Sequence, residues 1–194
     1  MNENSSASEG TYAVGVCNSG GADGSDLAWG LAASAAGFRV RHFMFEGHRI
    51  SFEPPEEAVI LTEDQLRVVE PDLQRIKKVI GRKFPPRSAY SRNLLCRNWY
   101  QQIDAQSLYA VSEIEDGAVS GGSAWAIALF IDRWVFAPVP VYVFDQLTSR
   151  WHVWNGECFE PMMGKPPRPE GVFAGIGMRA IKEDGRSAIV EVFD

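Results

Sequence analysis

Ser19-Gly20-Gly21-Ala22-Asp23-Gly24-Ser25-Asp26 is the segment from which a fold can first be predicted. It lies between a short apolar run at residues 12–17 and an Ala-rich segment that begins at Leu27. A strand, a glycine-rich turn and a helix in this order are typical of an α/β protein. The glycines allow positive φ and close approach to a ligand, and the helix offers unpaired N–H groups and the positive end of its dipole. The turn therefore indicates either an anion site or a tight strand-to-helix connection.

A second glycine-rich turn, Ser120-Gly121-Gly122-Ser123, also follows a predicted strand and opens an apolar helix. The strand is Ser107–Ser112, and an acidic loop at residues 113–117 separates it from the turn. In a doubly wound sheet, ligands lie beyond the carboxyl ends of the strands, where the strand order reverses. Two such turns at neighbouring strand ends are therefore expected to form opposite walls of one crevice.

The hydrophobic pattern places helices and strands in alternation along most of the chain. Thr62 and Gln65 form a capping box, and Pro71 is expected to interrupt the helix that follows. Apolar residues at helical spacing predict helices at residues 27–35, 62–80, 88–102 and 124–136. Short apolar runs predict further strands at residues 38–45 and 139–144.

The segments outside this alternation are interpreted as a loop and as added strands. Glu46–Ile60 contains Gly47 and two prolines and is expected to be a loop, with a lid over the first turn as one option. The tail Arg150–Asp194, which includes the apolar run Ala188–Phe193, predicts strands that close one side of the sheet. The fold class is therefore α/β, a Rossmann-like doubly wound parallel sheet in three layers with C-terminal added strands.

Length and composition predict one globular domain. The chain has 194 residues, 45% of them apolar, and no window approaches the roughly 18 consecutive apolar residues of a membrane span. Residues 1–10 lack the basic and apolar regions of a signal peptide and are expected to be a disordered lead, followed by a single domain at 11–194. A cytoplasmic location without membrane contact is the expectation.

The net charge, the cysteines and the histidines indicate whether nucleic acid, disulfide bonds or metal ions are to be expected. The formal net charge of −6 argues against nucleic acid, because that binding depends on clustered Lys and Arg. Cys17, Cys96 and Cys158 are far apart and odd in number, which favours free thiols. The three histidines do not form a spaced ligand set, so the sequence indicates neither a metal nor a cofactor.

The two turns together resemble those of the SLOG superfamily of Rossmann-like nucleotide-binding proteins. The superfamily includes the DNA-processing protein A family, the molybdenum-cofactor carrier-like proteins and the LONELY GUY phosphoribohydrolases. Ser19–Asp26 is similar to its SGGAxGAD turn, with Ser25 where Ala is usual. Leu94–Asn98 resembles the helix that carries an Arg followed by Lys or Asn, and Ser120–Trp125 resembles the later PGGxGT turn. The resemblance covers residues 12–145.

This resemblance implies that the turns bind a nucleotide or its phosphoribosyl part, in a protein that is often a homodimer. In the phosphoribohydrolases an Arg and a Glu assist cleavage of the N-glycosidic bond. The Arg corresponds to Arg97, whereas the position of the Glu is Ala128. The ligand-binding residues under this interpretation are Ser19, Gly20, Gly21, Ala22, Gly24, Asp26, Arg97, Asn98, Gly121, Gly122 and Ser123.

Physical reasoning about the same residues leaves several roles open. Arg97 or Arg92 can pair bidentately with a phosphate or form a surface salt bridge. Asp26 is either a helix-terminal charge or a ribose ligand and general acid/base, and Glu113 either replaces the missing Glu or is a solvated loop charge. Three aromatic residues near these motifs either stack on a base or belong to the core or an interface: Trp99, Tyr100 and Trp125.

Three functions follow from these roles. The first is a binding or sensor module that holds a nucleotide-derived ligand without turning it over, and the missing Glu favours it. The second is an N-glycosidic hydrolase or transferase, in which Arg97 anchors a phosphate and Glu113 or Asp26 supplies the carboxylate. The third is a structural subunit whose apolar helix from Ala124 pairs with a second copy of the chain.

Overall fold

The chain folds around an eight-stranded sheet that carries helices on both faces. The computed structural model describes residues 13–51 and 58–194, so the expected lead at residues 1–10 lies outside the described residues. The strands are β1 (Gly15–Ser19), β2 (Arg39–Phe45), β3 (Ala58–Leu61), β4 (Ser107–Ser112), β5 (Ile114–Glu115), β6 (Ala118–Val119), β7 (Val141–Asp145), β8 (Arg150–Trp154), β9 (Phe159–Pro161) and β10 (Gly171–Gly177). The helices are α1 (Ser25–Ala35), α2 (Glu63–Val68), α3 (Glu70–Val79), α4 (Ala89–Gln101), α5 (Ser123–Arg133) and α6 (Glu183–Glu191).

The strand order of the large sheet is β3-β2-β1-β10-β4-β7-β8-β9, and β5 pairs with β6 in a separate hairpin. The first six strands of this order run parallel, whereas β8 and β9 are antiparallel to their neighbours. In the centre, Phe173 of β10 lies opposite Cys17 of β1 on one side and Ser107 of β4 on the other. The predicted three-layer, Rossmann-like α/β class is confirmed.

Alternate residues of the central strands face two different cores, as the pleat of a strand requires. In β4, Tyr109 and Val111 belong to the core beneath α1 and α6, whereas Leu108 and Ala110 belong to the core beneath α5. The largest side chain of the first core is Trp29, which is fully buried among three aromatic rings. A third cluster joins β2 and β3 to α2, α3, α4 and α5. Helices therefore cover both faces of the sheet.

Two helices, α2 and α4, start at residues whose side chains cap them. Thr62 and Gln65 form the capping box of α2, with Gln65 N donating to Thr62 Oγ1 at 3.2 Å and Thr62 N donating to Gln65 Oε1 at 2.8 Å. Pro71 lies in the first turn of α3, so the helix predicted at 62–80 is divided into α2 and α3. Ser88 caps α4 by accepting a hydrogen bond from Ser91 N at 3.0 Å.

The central position of β10 differs from the expectation. Added strands at one side of the sheet describe β8 and β9, but β10 lies between β1 and β4. The two glycine-rich turns therefore do not follow neighbouring strands. Small residues suit β10 to this crowded position, since a Cβ at Gly175 would press on Trp29 of α1 and a Cβ at Gly177 would overlap the carbonyl of Val111.

Two segments of the chain adopt other structures than the sequence indicated. The run Ala188–Phe193 belongs to α6 and its C-terminal end, where Ala188, Ile189 and Val192 are buried against the core of α1. Packing has overridden the strand-forming composition of this run. The segment Glu46–Ile60 is not a loop throughout, because it ends in β3. Residues 52–57 lie outside the described residues, so the lid remains a prediction.

Helix α5, which pairs with a second copy in the third of the three functions considered, contributes to the core of its own chain. Ala126, Ile127 and Phe130 are buried against the sheet, and Trp125 and Leu129 are buried against α3 and α4. Neither α5 nor any other helix within residues 13–51 and 58–194 is long and apolar enough to cross a membrane.

A methyl group at position 175 is predicted to destabilise the fold. A Cβ there would lie 2.7 Å from Trp29 Cβ and Cγ, and the buried Trp29 has no free space to enter. We expect Gly175→Ala to lower the free energy of unfolding by about 1–3 kcal/mol in urea denaturation. The control is Gly122→Ala, because a Cβ at position 122 meets nothing within 4 Å. Equal losses in the two variants would contradict this interpretation of β10.

Candidate functional site

A cavity of about 810 Å³ lies at the carboxyl ends of the parallel strands. Most of its wall comes from four segments, namely the first turn, one face of α4, the second turn with the start of α5, and the connection from β10 to α6. Arg49, which follows β2, and Arg82, which follows α3, complete it. The end of β10, Ile176 and Gly177, fills the wall between the two turns. Both turns therefore line one cavity, as predicted, although their strands are not adjacent.

The first turn is closed by contacts within the chain. Ser25 at the start of α1 donates to Met178 O both from its N–H, at 3.1 Å, and from its hydroxyl, at 2.8 Å. Gly24 has a φ of 100°, and a Cβ there would overlap the backbone of Arg179. A Cβ at Gly20 would overlap the guanidinium of Arg97. Gly20 and Gly24 therefore leave space for Arg97 and Arg179 of the same chain. This agrees with the second interpretation of the turn, a tight strand-to-helix connection.

Ser19 and Gly21 also serve the turn itself. Ser19 is fully buried, and its hydroxyl donates to Asp26 O at 2.7 Å while accepting from Gly21 N at 3.1 Å. Gly21 has a φ of 61°, which a residue with a side chain rarely adopts. Of the ligand-binding residues predicted in this turn, Ala22 and Asp26 line the cavity.

Arg97 connects the two turns. Its Nη1 atom lies 3.0 Å from Asp26 Oδ2 and donates to Gly20 O at 2.6 Å, and its Nη2 atom donates to Asn98 Oδ1 at 3.1 Å. Asn98 Nδ2 in turn donates to Gly122 O at 3.5 Å. Both members of the ion pair are buried, and the Arg97 Nε atom has no hydrogen-bond partner in the described chain. Arg97 thus connects the first turn to Asn98 of α4, and its Nε–H group has no hydrogen-bond partner among the described residues.

The second turn is open, in contrast to the first. A Cβ at Gly121 or Gly122 would meet nothing within 4 Å, and Gly122, the N-cap of α5, offers the helix no side-chain cap. Ser123 is 4% exposed and lines the cavity, and its hydroxyl has no hydrogen-bond partner among the described residues. Arg82 holds the turn by donating to Gly121 O and to Val119 O. This helix N-terminus is therefore available to a ligand.

The predicted carboxylates are not all brought together. Asp26 lines the cavity, and its pKa is raised by burial, an effect that the charge of Arg97 opposes. Glu113 is not among the lining residues, and its Oε1 atom lies 3.8 Å from Lys182 Nζ. Asp23 lines the cavity and accepts hydrogen bonds from the hydroxyl and the N–H of Ser51, at 2.5 and 3.2 Å. The acids expected to assist cleavage are thus either paired with a cation or turned away.

The aromatic candidates pack inside the protein. Trp125 lines the cavity but is 4% exposed and packs against Phe84, with ring centroids 5.8 Å apart. Trp99 donates to Asp72 Oδ2 at 2.8 Å, and Tyr100 donates to Gln65 O at 2.8 Å. Neither Trp99 nor Tyr100 lines the cavity. Both side chains are half-buried and pack against the third cluster, outside this cavity.

Arg92, the second candidate for a phosphate ligand, is occupied by acids instead. It lies 2.9 Å from Glu63 and 2.5 Å from Glu70, both on helices packed against α4. The salt-bridge alternative therefore holds for this residue.

The cavity wall contains residues that were not predicted as ligand contacts, among them Arg49, Arg82, Tyr90 and Arg179. The helical period could have indicated Tyr90, because it precedes Arg97 by two turns of α4 and lies on the same face. The three arginines lie in connections between elements, where no sequence period applies. Their position depends on the tertiary structure.

Two histidines lie behind the first turn in low-polarity surroundings. Burial lowers the pKa of His42 and that of His48 to about 4, and the charge of Arg97 acts in the same direction on both. The His48 ring stacks on Phe45 at 4.9 Å. Both rings are therefore neutral at physiological pH. Within the described ranges, no group of three or more His, Cys, Asp and Glu side chains is placed to hold a metal ion.

Comparison of the chain with protein-family models, with curated proteins and with solved structures finds no match.

Removal of the Asp26 charge is predicted to destabilise the chain strongly. Asp26→Asn would leave the buried guanidinium of Arg97 without its counter-ion, and such a change costs about 3–5 kcal/mol. The matched control is Asp132→Asn, which breaks the exposed pair of Asp132 with Arg75 at 2.5 Å and should cost less than about 1 kcal/mol. Urea denaturation of both variants measures the difference. Similar losses would show that Arg97 does not depend on Asp26.

The stability of the chain is predicted to fall below neutral pH because of His42 and His48. Their ordinary pKa is about 6.5, so an unfolded chain takes up protons between about pH 6.5 and pH 4 that the folded chain excludes. The free energy of unfolding therefore decreases as the pH falls through this window. NMR titration of the ring signals reports the two pKa values, and His48→Gln should reduce the decrease. A His48 ring that titrates near pH 6.5 would contradict its burial.

Proposed function

We propose that this chain binds a phosphorylated, nucleotide-type small molecule in the cavity and holds it without turning it over, as a binding or sensor module. The observation that carries the proposal is the start of α5. There, the uncapped N–H groups of an eleven-residue helix lie next to the buried, unpartnered hydroxyl of Ser123, with open space beside Gly121 and Gly122. A phosphate at a helix N-terminus is stabilised by these N–H groups and by the helix dipole.

The charges around the cavity also favour an anion. Arg49, Arg82, Arg97 and Arg179 line it, against Asp23 and Asp26. Asp26 is compensated by Arg97 at 3.0 Å, which leaves three arginines against one carboxylate. The chain as a whole carries a net charge of −6, so this is a local excess of positive charge on an acidic protein. Such a local field attracts an anionic ligand while the whole molecule repels polyanions.

The SLOG resemblance agrees with a nucleotide ligand, and the carboxylates favour binding over cleavage. Ala128 stands where the phosphoribohydrolases carry their Glu, and it does not line the cavity. Glu113 lies next to Lys182, and Asp26 is held by Arg97. Asp23 is the remaining carboxylate of the wall, and it already accepts two hydrogen bonds from Ser51. A general base facing the ligand is therefore lacking among the described cavity residues.

The hydroxyl of Ser123 is predicted to contribute to phosphate affinity. We expect ribose 5-phosphate to bind in isothermal titration calorimetry, and Ser123→Ala to weaken binding by about tenfold or more, as for a hydrogen bond to a charged group. Ser112→Ala is the matched control, because Ser112 also has a buried hydroxyl without a hydrogen-bond partner among the described residues but does not line the cavity. It should leave the affinity unchanged.

A panel of six compounds tests whether the chain binds a phosphorylated ligand and whether it turns that ligand over. Ribose 5-phosphate, AMP, GMP, CMP, UMP and adenosine are incubated with the protein, and mass spectrometry identifies both the bound molecule and the supernatant. Recovery of intact nucleotide with the protein supports the proposal. The absence of binding by every phosphorylated compound would overturn it. Free base in the supernatant would instead establish N-glycosidic activity and direct attention to Asp26, the acid that lines the cavity with a raised pKa.

A further inference from the structure

We infer that the end of the cavity away from the second turn takes a planar aromatic ring, and that Arg49 and Tyr90 form the surface on which this ring stacks. The inference rests on the proposed function, because it describes the other half of the molecule whose phosphate lies at Ser123. It assigns the base-contacting role to residues other than the aromatic side chains near the glycine-rich turns.

One face of α4 forms a continuous wall between the two ends of the cavity. Tyr90, Leu94, Arg97 and Asn98 all line the cavity, and their spacing is that of a single helical face. Asn98 contacts the second turn through Gly122 O, whereas Tyr90 lies eight residues earlier, or about 12 Å along the helix axis. An inorganic phosphate at α5 does not reach Tyr90. The proposed ligand would span more of this wall if a sugar separated its phosphate from a ring.

The chemistry of the Tyr90 end suits a flat, uncharged ring. The Arg49 guanidinium lies over the Tyr90 ring, with Cζ 5.0 Å from the ring centroid, and Arg49 N donates to the Tyr90 hydroxyl at 3.3 Å. Phe45 contacts the same ring edgewise at 5.6 Å and fixes its orientation. Nucleobases stack on aromatic rings and on guanidinium planes in this way. Leu94 and Leu95 add apolar wall where a ring, but not a phosphate, gains from contact.

A second phosphate is the competing occupant for Arg49, and its surroundings disfavour one. The carboxylate of Asp23 lines the cavity and is bonded to Ser51, two residues from Arg49. The nearby helix start, that of α4, is already capped by Ser88. Neither the Asp23 carboxylate nor the capped start of α4 stabilises an anion, whereas neither of them repels a neutral ring. The arginine plane, rather than its charge alone, is therefore the part that meets the ligand.

Calorimetric titration with ribose 5-phosphate and with AMP, GMP, CMP and UMP tests the inference. In the unchanged protein, the tightest nucleotide should bind at least about tenfold more tightly than ribose 5-phosphate, the gain typical of one stacked base. Tyr90→Leu should remove this gain and leave ribose 5-phosphate affinity within about twofold. Tyr90→Phe keeps the ring and should keep most of the gain. Arg49→Lys keeps the charge without the plane and should lose most of it.

The outcomes separate this inference from the proposed function. Binding of ribose 5-phosphate with no gain for any nucleotide would overturn the aromatic-ring site and leave the phosphate site standing. Equal weakening of ribose 5-phosphate and of the nucleotides by Tyr90→Leu would also overturn it, as would full retention of affinity in Arg49→Lys, which points to a second phosphate. If ribose 5-phosphate and all four nucleotides fail to bind, the proposed function itself is wrong and the inference is overturned with it.

Discussion

The buried ion pair between Arg97 and Asp26 is the contact on which the geometry of the cavity depends. A buried charge pair requires compensation for lost hydration, and here it receives it from Gly20 O and from Asn98. A Cβ at Gly20 would overlap the guanidinium, so the observed position of Arg97 requires glycine at residue 20. Through Asn98 and Gly122 O the same network reaches the second turn. Two neighbouring side chains of α4, Arg97 and Asn98, therefore connect the two turns.

Local sequence signals sufficed for most of the fold because each of them acts over a few residues. The capping box at Thr62, the break at Pro71 and the cap at Ser88 depend on hydrogen bonds or steric limits within one turn of helix. The place of β10 in the sheet depends on contacts with β1 and β4, which are far away in sequence. Nothing in the run Gly171–Gly177 specifies an inner rather than an edge position, although its three small glycines are consistent with the crowded one.

Only part of the candidate site could be predicted from the sequence, because the rest depends on contacts between residues that are far apart in the chain. The sequence correctly placed both turns on one cavity and named Asp26, Arg97, Asn98 and Ser123, all of which line it. It did not distinguish a glycine that makes room for a ligand from one that makes room for the chain's own side chain. Both turns contain Ser-Gly-Gly and a glycine with φ near 60°, Gly21 in the first and Gly121 in the second. Only the tertiary structure shows Arg97 beside Gly20 and empty space beside Gly122.

This asymmetry between the turns determines where an anion is best held. Met178 O already accepts from the first N–H of α1, so a phosphate there would lie against a carbonyl oxygen. At α5 there is no side-chain cap among the described residues, and Arg82, which lines the cavity, donates to Gly121 O and Val119 O of the turn. The first turn, with the stronger sequence motif, thus holds Arg97, whereas the start of α5 beside the second turn has no side-chain cap. A glycine-rich turn that leaves space for a ligand and one that leaves space for a buried arginine have similar sequences, so the neighbours of each glycine have to be known to tell them apart.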